Sequence, residues 1–332
     1  MNKVIYLKNR PTGMPSLSDF EMKTEEKPKA EDGEILIKTE YLSVDPYLRG
    51  RMRNVESYIE PFKVDEPLES GIIGEVISSK NSNFKEGDHV TGMLKWKEFQ
   101  VSSGAGINKV DKNMAPLSAF LGVLGLTGIT AYLGLEKIGK LKEGETLLVS
   151  GAAGAVGSIV GQIGKIKGCR VVGIAGSDEK INKLKTDFNF DDGINYKTSS
   201  NIKEDIKKAC PDGVDVYFDN VGGEILDAAL ANINKFGRVI NCGAISLYNA
   251  TDTPTGPRHE GTLIKKSALM QGFTVRDYVK DFGPAMKQLG MWLQEGKLQY
   301  AETIVEGFDN TPQAFIDLFK GKNKGKMVVK VS

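Results

Sequence analysis

Thr146-Leu147-Leu148-Val149-Ser150-Gly151-Ala152-Ala153-Gly154-Ala155-Val156-Gly157 is the stretch that decides the fold. Its opening run of apolar residues reads as a buried strand. A glycine turn follows at once, with Gly151, Gly154 and Gly157 evenly spaced. Residues 158–167 then carry Ile159, Val160, Ile163 and Ile166 at helical spacing, and a second apolar run over 169–175 closes a βαβ unit. A glycine triplet alone is weak evidence. Between a strand and a helix, with a second strand following, it reads as a dinucleotide fingerprint. Gly151 permits the tight turn, Gly154 lets the backbone approach a pyrophosphate, and Gly157 lets the helix pack close to the sheet. Amides at the helix start then face the anion.

The end of the second strand selects the dinucleotide. An NAD site usually places Asp or Glu there to bind the ribose 2′-hydroxyl. Here the strand ends Ile174-Ala175-Gly176-Ser177, without an acid. Asp178 and Glu179 come later, in what reads as the first turn of a helix, where acids are favoured for capping alone. Lys180 follows. It reads either as a partner of the 2′-phosphate of NADP or as a solvated helix lysine.

The chain has 332 residues, enough for two domains. Lys plus Arg (44) nearly balances Asp plus Glu (43), which argues against a nucleic-acid partner. No apolar stretch reaches membrane length and the first residues lead straight into a strand, so a cytoplasmic protein is expected. Cys169, Cys210 and Cys242 have no neighbours at metal or redox spacing, and there are only two histidines, His89 and His259. No metal site is expected.

Residues 1–120 read as β-rich, with strands over 3–8, 34–42 and 71–79 and another entered through 87–92, as in a barrel. Strands are predicted next at 146–150, 171–175, 193–196, 214–219, 238–242 and 269–273, alternating with helices: a doubly wound parallel sheet. From Asp277 the pattern is helical, with Phe282, Met286, Leu289 and Leu293 on one face. Two short strands, 303–308 and 326–331, flank a helix over 312–319 and are expected to return to the first domain. The cofactor domain would then be an insertion, with a cleft between the two. The polar loop 248–261 reads either as a cover for that cleft or as an exposed loop without a role.

These motifs resemble the zinc-free medium-chain dehydrogenase/reductases, and within them the prostaglandin reductase, leukotriene dehydrogenase and NADP-dependent alkenal double-bond reductase group. The resemblance spans the chain. It rests on Ser43-Val44-Asp45-Pro46-Tyr47-Leu48-Arg49-Gly50-Arg51-Met52, the glycine turn, Gly176-Ser177-Asp178-Glu179-Lys180, Asn195-Tyr196-Lys197, Asp219-Asn220-Val221-Gly222-Gly223, Cys242-Gly243-Ala244-Ile245-Ser246 and Gly321-Lys322-Asn323-Lys324-Gly325-Lys326. It implies a Rossmann domain over 121–298 inserted into a GroES-like β-barrel catalytic domain formed by 1–120 and 299–332. It implies NADP as cofactor and a homodimer. In this group Lys180 and Tyr196 hold the 2′-phosphate, and Gly154, Ala155, Val156 and Gly157 receive the pyrophosphate. Asn220 would meet the nicotinamide-side ribose or phosphate, unless it serves only its turn. Cys242, Gly243, Ala244, Ile245, Ser246 and Tyr248, with Phe273, Thr274 and Val275, would line the nicotinamide. Asn323 would reach across from the barrel domain, unless its glycine-rich surroundings are simply a hairpin. The zinc ligands of related alcohol dehydrogenases are missing: no cysteine lies in Leu42-Ser43-Val44-Asp45 and no histidine in Gly71-Ile72-Ile73-Gly74-Glu75.

The activity implied is NADPH-dependent reduction of the carbon–carbon double bond of α,β-unsaturated ketones and aldehydes. Hydride would attack the β-carbon, and the resulting enolate needs a hydrogen-bond donor. Tyr47 and Tyr248 are the candidate catalytic donors, with the nicotinamide ribose hydroxyl as a third; Tyr47 reads also, and more simply, as packing at a proline turn. Arg49 and Arg51 are either structural or partners of an anionic substrate. The alternatives are a quinone reductase of the same fold and a non-catalytic NADPH-binding protein.

Overall fold

The computed structural model describes residues 1–331. They form two compact units: Met1–Gly122 with Glu302–Asn323 and the last residues from Met327, and Val123–Ala301 with Lys324–Lys326.

The second unit is built on a six-stranded sheet in the order Asp192–Asn195, Arg170–Ala175, Thr146–Ser150, Val214–Asp219, Ile233–Asn241, Leu269–Gly272. Every neighbouring pair is parallel. The chain order reverses direction at Thr146–Ser150, beside which Val214–Asp219 lies. This is the doubly wound arrangement, whose ligands bind outside the carboxyl ends of the strands. All residues of Thr146–Ser150 are buried, as a strand covered on both faces requires. Helices Gly157–Ile166, Asp178–Phe188, Ile202–Ala209 and Gly223–Ala231 make the crossovers. One core cluster gathers Leu148, Val172, Tyr217 and Val239 from the sheet with Ile206 and Leu230 from the helices.

Two elements differ from the sequence reading. The strand expected at 238–242 is Ile233–Asn241, and its pairing shifts register between Val214 and Val216. Its first half was hidden because Asn234, Lys235 and Phe236 follow no strand alternation and Phe236 adopts a left-handed φ of 64°. The loop that precedes the last strand contains a short helix, Glu260–Lys266. None of its residues is fully buried, and the contact of Leu263 with the sheet's core is too little to make an apolar stripe.

The first unit holds a seven-stranded sheet. Its central strand, Ile35–Ser43, pairs along its length with Glu69–Ser79. Its other edge is shared, first by Phe99–Ser102 and then by Lys326–Lys330. A hairpin of Asn2–Leu7 and Phe20–Glu25 lies beside this sheet in the chain and forms a sheet of its own. Helix Thr311–Phe319 sends Phe315 into a core that includes Ile37, Leu42, Ile72 and Trp96. Trp96 is fully buried, and its indole nitrogen donates to Ser70 Oγ at 2.8 Å, so its one polar atom is satisfied. The strand expected at 303–308 stops at Glu306, because Gly307 turns the chain with φ of 90°.

Candidate cofactor site

The glycine turn sits where Thr146–Ser150 gives way to helix Gly157–Ile166. Gly151 has φ of 58°, a conformation that glycine adopts without penalty. A Cβ on Gly157 would lie 2.4 Å from the Gly151 carbonyl oxygen and 2.8 Å from Ala152 Cα. Only a bare backbone lets the helix start this close to the strand. The Gly154 amide closes the turn onto Gly151 O at 2.9 Å. The amides of Ala155, Val156 and Gly157 have no acceptor among the described residues. Three adjacent donors at a helix start, at the carboxyl end of a central parallel strand, suit a pyrophosphate.

The second strand, Arg170–Ala175, leads into Gly176 and helix Asp178–Phe188. Ser177 caps that helix by accepting from the Lys180 amide at 3.3 Å. The Tyr196 ring lies against Gly176, where a Cβ would meet its Cε1 at 3.0 Å and its hydroxyl at 3.1 Å. Gly176 thus makes room for a phenol at the corner where an acidic side chain would bind a ribose 2′-hydroxyl. Both nearby acids are engaged. Asp178 accepts from Asn195 Nδ2 at 2.8 Å, and Glu179 pairs with Lys324. Lys180 feels the charges of Lys197 and Lys324. Burial, first, and those two ammonium groups push its pKa below the ordinary lysine value. A part-buried lysine with two more ammonium groups acting on it gains from a multiply charged anion such as a phosphate monoester.

At the centre of the sheet stands Asp219, which is buried. Its Oδ1 accepts from Tyr217 OH at 2.7 Å, Gly222 N at 2.9 Å, Ser150 Oγ at 3.0 Å and Val221 N at 3.0 Å. Its carbonyl accepts from the amides of Cys242 at 2.9 Å and Gly243 at 3.1 Å. One residue therefore ties together the carboxyl ends of three strands. Burial, followed by the charge of Asp219, pushes the Tyr217 phenol well above its ordinary pKa, so it stays a donor. The Asn220 amide nitrogen donates to Ser150 O at 2.8 Å, and its backbone N–H donates to Ser150 Oγ at 3.0 Å. Asn220 thus bridges the two central strand ends through a residue 70 positions away in the chain.

Residues 242–248 are stitched to this turn. Ile245 N donates to Asn220 O at 3.3 Å, and Ser246 donates to Val221 O through its amide at 3.1 Å and its hydroxyl at 2.6 Å. Gly222 and Gly223, at φ of 71° and 57°, leave room for Ala244 and Ser246. Tyr248 folds back so that its hydroxyl accepts from the Ala244 amide at 3.3 Å. Burial and Asp219 push the Cys242 thiol up to about 12, so at neutral pH it is no thiolate nucleophile. Phe273 packs its ring tip on Gly134, Thr274 directly precedes the 3₁₀ turn Val275–Asp281, and Val275 begins it.

Tyr47, in the first unit, precedes the short helix Leu48–Arg51 and packs on that unit's core. Arg49 is buried and donates to the carbonyls of Pro11 and Gly13 at 3.1 and 2.8 Å. Arg51 donates to Glu60 O at 2.9 Å, pairs with Glu69 at 2.7 Å and lies over the Phe62 ring. Both arginines therefore act as loop anchors. Asn323 ends the 302–323 segment of the first unit, whereas Lys324–Lys326 belong to the second. There the Gly325 amide donates to Ala153 O at 2.8 Å, beside the glycine turn. No group of three His, Cys, Asp or Glu side chains able to hold a metal ion occurs among the described residues.

The sequence reading missed Asp219, Lys197 and Lys324. An acid closing the apolar run Val216-Tyr217-Phe218 was a visible signal, since a buried carboxylate must collect donors. Lys197 directly follows Tyr196. Lys324 gave no signal, because its partner Glu179 lies 145 residues away.

Residues 3–110 match a family described as the N-terminal domain of oxidoreductase, and residues 155–290 one described as zinc-binding dehydrogenase. The chain is 56% identical over 330 residues to YfmJ of Bacillus subtilis (strain 168), provisionally named an NADP-dependent oxidoreductase, covering 99% of this chain and 97% of that one. It is 46% identical over 329 residues to prostaglandin reductase 1 of Bos taurus, covering 98% and 97%. It is 41% identical over 336 residues to the NADP-dependent 2-alkenal reductase of Nicotiana tabacum, covering 100% and 98%. The crystal structure of CurA from Vibrio vulnificus in complex with NADPH superposes with a TM-score of 0.94 at 42% identity, covering 99% of both chains.

Proposed function

The chain belongs to the zinc-free medium-chain dehydrogenase/reductases and is an NADP-dependent oxidoreductase. On that premise we propose that it reduces the carbon–carbon double bond of α,β-unsaturated ketones and aldehydes, of the 2-alkenal and 15-oxoprostaglandin type. The proposal draws on the prostaglandin and 2-alkenal reductases, which match it from end to end. When bound, the reduced nicotinamide supplies a hydride. The amides of Ala155, Val156 and Gly157 would bind the pyrophosphate, and Lys180, Tyr196 and their lysine neighbours the 2′-phosphate.

Hydride at the β-carbon leaves an enolate whose oxygen must be stabilised until water protonates the α-carbon. The observation that carries this reading is the setting of Tyr248. Its hydroxyl accepts the Ala244 N–H at 3.3 Å, so a phenol, a group that can donate to an enolate oxygen, is held in one place on this loop. The loop that holds it is fixed to Asp219, Asn220 and Val221, so the donor would be preorganised. Tyr47 is the other candidate donor, from the first unit.

The same reading makes the enzyme a homodimer with small-molecule substrates and no nucleic-acid or membrane partner. It also places it in the cytoplasm, where Cys169, Cys210 and Cys242 would remain thiols. A panel of enones, enals and quinones with NADPH tests the substrate class. Saturated ketones and aldehydes from the first two are expected. Rapid quinone turnover with inert enones would instead indicate the quinone reductase, and no NADPH consumption with any of them a non-catalytic protein.

A further inference from the structure

The 2′-phosphate corner contains an ion pair that the reading of Lys180 and Tyr196 leaves unused. Lys324 belongs to a three-residue segment, Lys324–Lys326, that joins the second unit after the chain has returned to the first. Two backbone bonds hold this segment. Gly325 N donates to Ala153 O at 2.8 Å, and Lys326 N donates to Ala301 O at 2.9 Å. Gly325 also forms a parallel bridge with Gly154. It has φ of 69°, and a Cβ there would lie 1.9 Å from the Ala301 carbonyl oxygen. The segment is thus fixed against the glycine turn, and Lys324 leaves it toward helix Asp178–Phe188.

Lys324 there pairs with Glu179, the residue directly before Lys180. The Glu179 side chain is exposed, and the Lys324 side chain half-exposed. Exposed pairs of this kind are weak and exchange partners readily. Lys324 nevertheless acts on Lys180, since its charge is among those that lower the Lys180 pKa. Held to Glu179, the Lys324 ammonium stands at the helix start that carries Lys180. A phosphate monoester carries nearly two negative charges at neutral pH and accepts through three oxygens. It is a stronger partner for an ammonium than one carboxylate.

We propose that Glu179 and Lys324 form a displaceable counter-ion pair that sets the enzyme's preference for NADPH over NADH. Without the 2′-phosphate, Glu179 neutralises Lys324. With it, Lys324 transfers to the phosphate and becomes a further cation beside Lys180, while Glu179 is released to water. No bond is made or broken. Glu179 acts as a brake on NADPH affinity, because its pair must be given up and its charge faces the incoming anion. NADH has no 2′-phosphate and leaves the pair intact. This inference rests on Lys180 and Tyr196 marking the 2′-phosphate corner.

The test is equilibrium binding of NADPH and NADH, followed by nucleotide fluorescence or calorimetry, without turnover. Lys324→Met should weaken NADPH about three- to tenfold, the range expected for a half-exposed charge-assisted contact, with NADH nearly unchanged. Lys324→Arg should retain the preference. Glu179→Gln should tighten NADPH about two- to fivefold without affecting NADH, and this gain should shrink when Lys324 is already Met. Raised salt should narrow the difference between wild type and Lys324→Met.

Equal weakening of both nucleotides in Lys324→Met would mean that Lys324 only holds its segment in place, and would overturn the proposal. So would unchanged NADPH binding in that variant, or weaker NADPH binding in Glu179→Gln. Lys180→Ala separates this inference from the reading beneath it. If Lys180→Ala selectively weakens NADPH but Lys324→Met does not, only the counter-ion pair is refuted. If neither does, the corner itself has been misassigned.

Discussion

Lys180 shows how far one residue can be read. In the sequence it is a lysine two positions into a helix start, and nothing local separates a ligand from a solvated side chain. The structure adds its surroundings: burial, two neighbouring ammonium groups, Tyr196 laid over Gly176, and acids already engaged by Asn195 and Lys324. Lys180→Ala is expected to cost about 1–3 kcal/mol in NADPH binding, the range for a hydrogen bond to a charged group, and almost nothing for NADH. Equal losses for both nucleotides would remove Lys180 from the 2′-phosphate. Asn220 shows the opposite limit. Its position at a strand end was legible, but its amide nitrogen is bonded to Ser150 O, and only coordinates give that partner.

At the scale of elements, the βαβ unit was legible because each part has a local cause. Apolar runs make strands buried on both faces, and the glycines permit contacts that a Cβ forbids. Gly157 is the sharpest case. Gly157→Ala would push a methyl group toward backbone atoms of Gly151 and Ala152, which cannot rotate away. Such overpacking typically costs about 1–3 kcal/mol of stability, and thermal or denaturant unfolding should register it. NADPH and NADH should weaken together, because both carry the pyrophosphate. A variant of full stability, or one that loses only NADPH, would contradict the role given to this turn. Elements without a local cause escaped. Helix Glu260–Lys266 fully buries none of its residues, and the first half of Ile233–Asn241 has a left-handed residue in its path. The ties from Asp219 to three strand ends, and from Lys324 to Glu179, are long-range and appear in no window of sequence.

At the scale of the whole molecule, alternation of strands and helices was enough to predict a doubly wound sheet, and its order follows the expected reversal. Its edge bears on the proposed homodimer. Among the described residues, strand Leu269–Gly272 is paired on one side only, to Ile233–Asn241. Leu269 is 46% exposed there, and Ile264 and Val279 nearby in the chain are 79% and 59% exposed. An open edge carrying apolar side chains invites pairing with another strand, and a second copy could supply it. Light scattering on the purified protein should then give twice the 36.2 kDa chain mass. A monomer at micromolar concentration would contradict the dimer.

The central claim is where the hydride goes. Reduction of a carbonyl builds charge on an alkoxide, a strong base that needs a potent acid or a metal. Addition at the β-carbon spreads charge over an enolate, which a neutral phenol such as Tyr248 can support. The direct measurement uses NADPH deuterated at the transferable C4 position, a simple enone, and NMR or mass spectrometry of the product. The expected product is the saturated ketone with deuterium on the β-carbon and the carbonyl intact. Deuterium on the carbonyl carbon of an allylic alcohol would contradict the proposed chemistry.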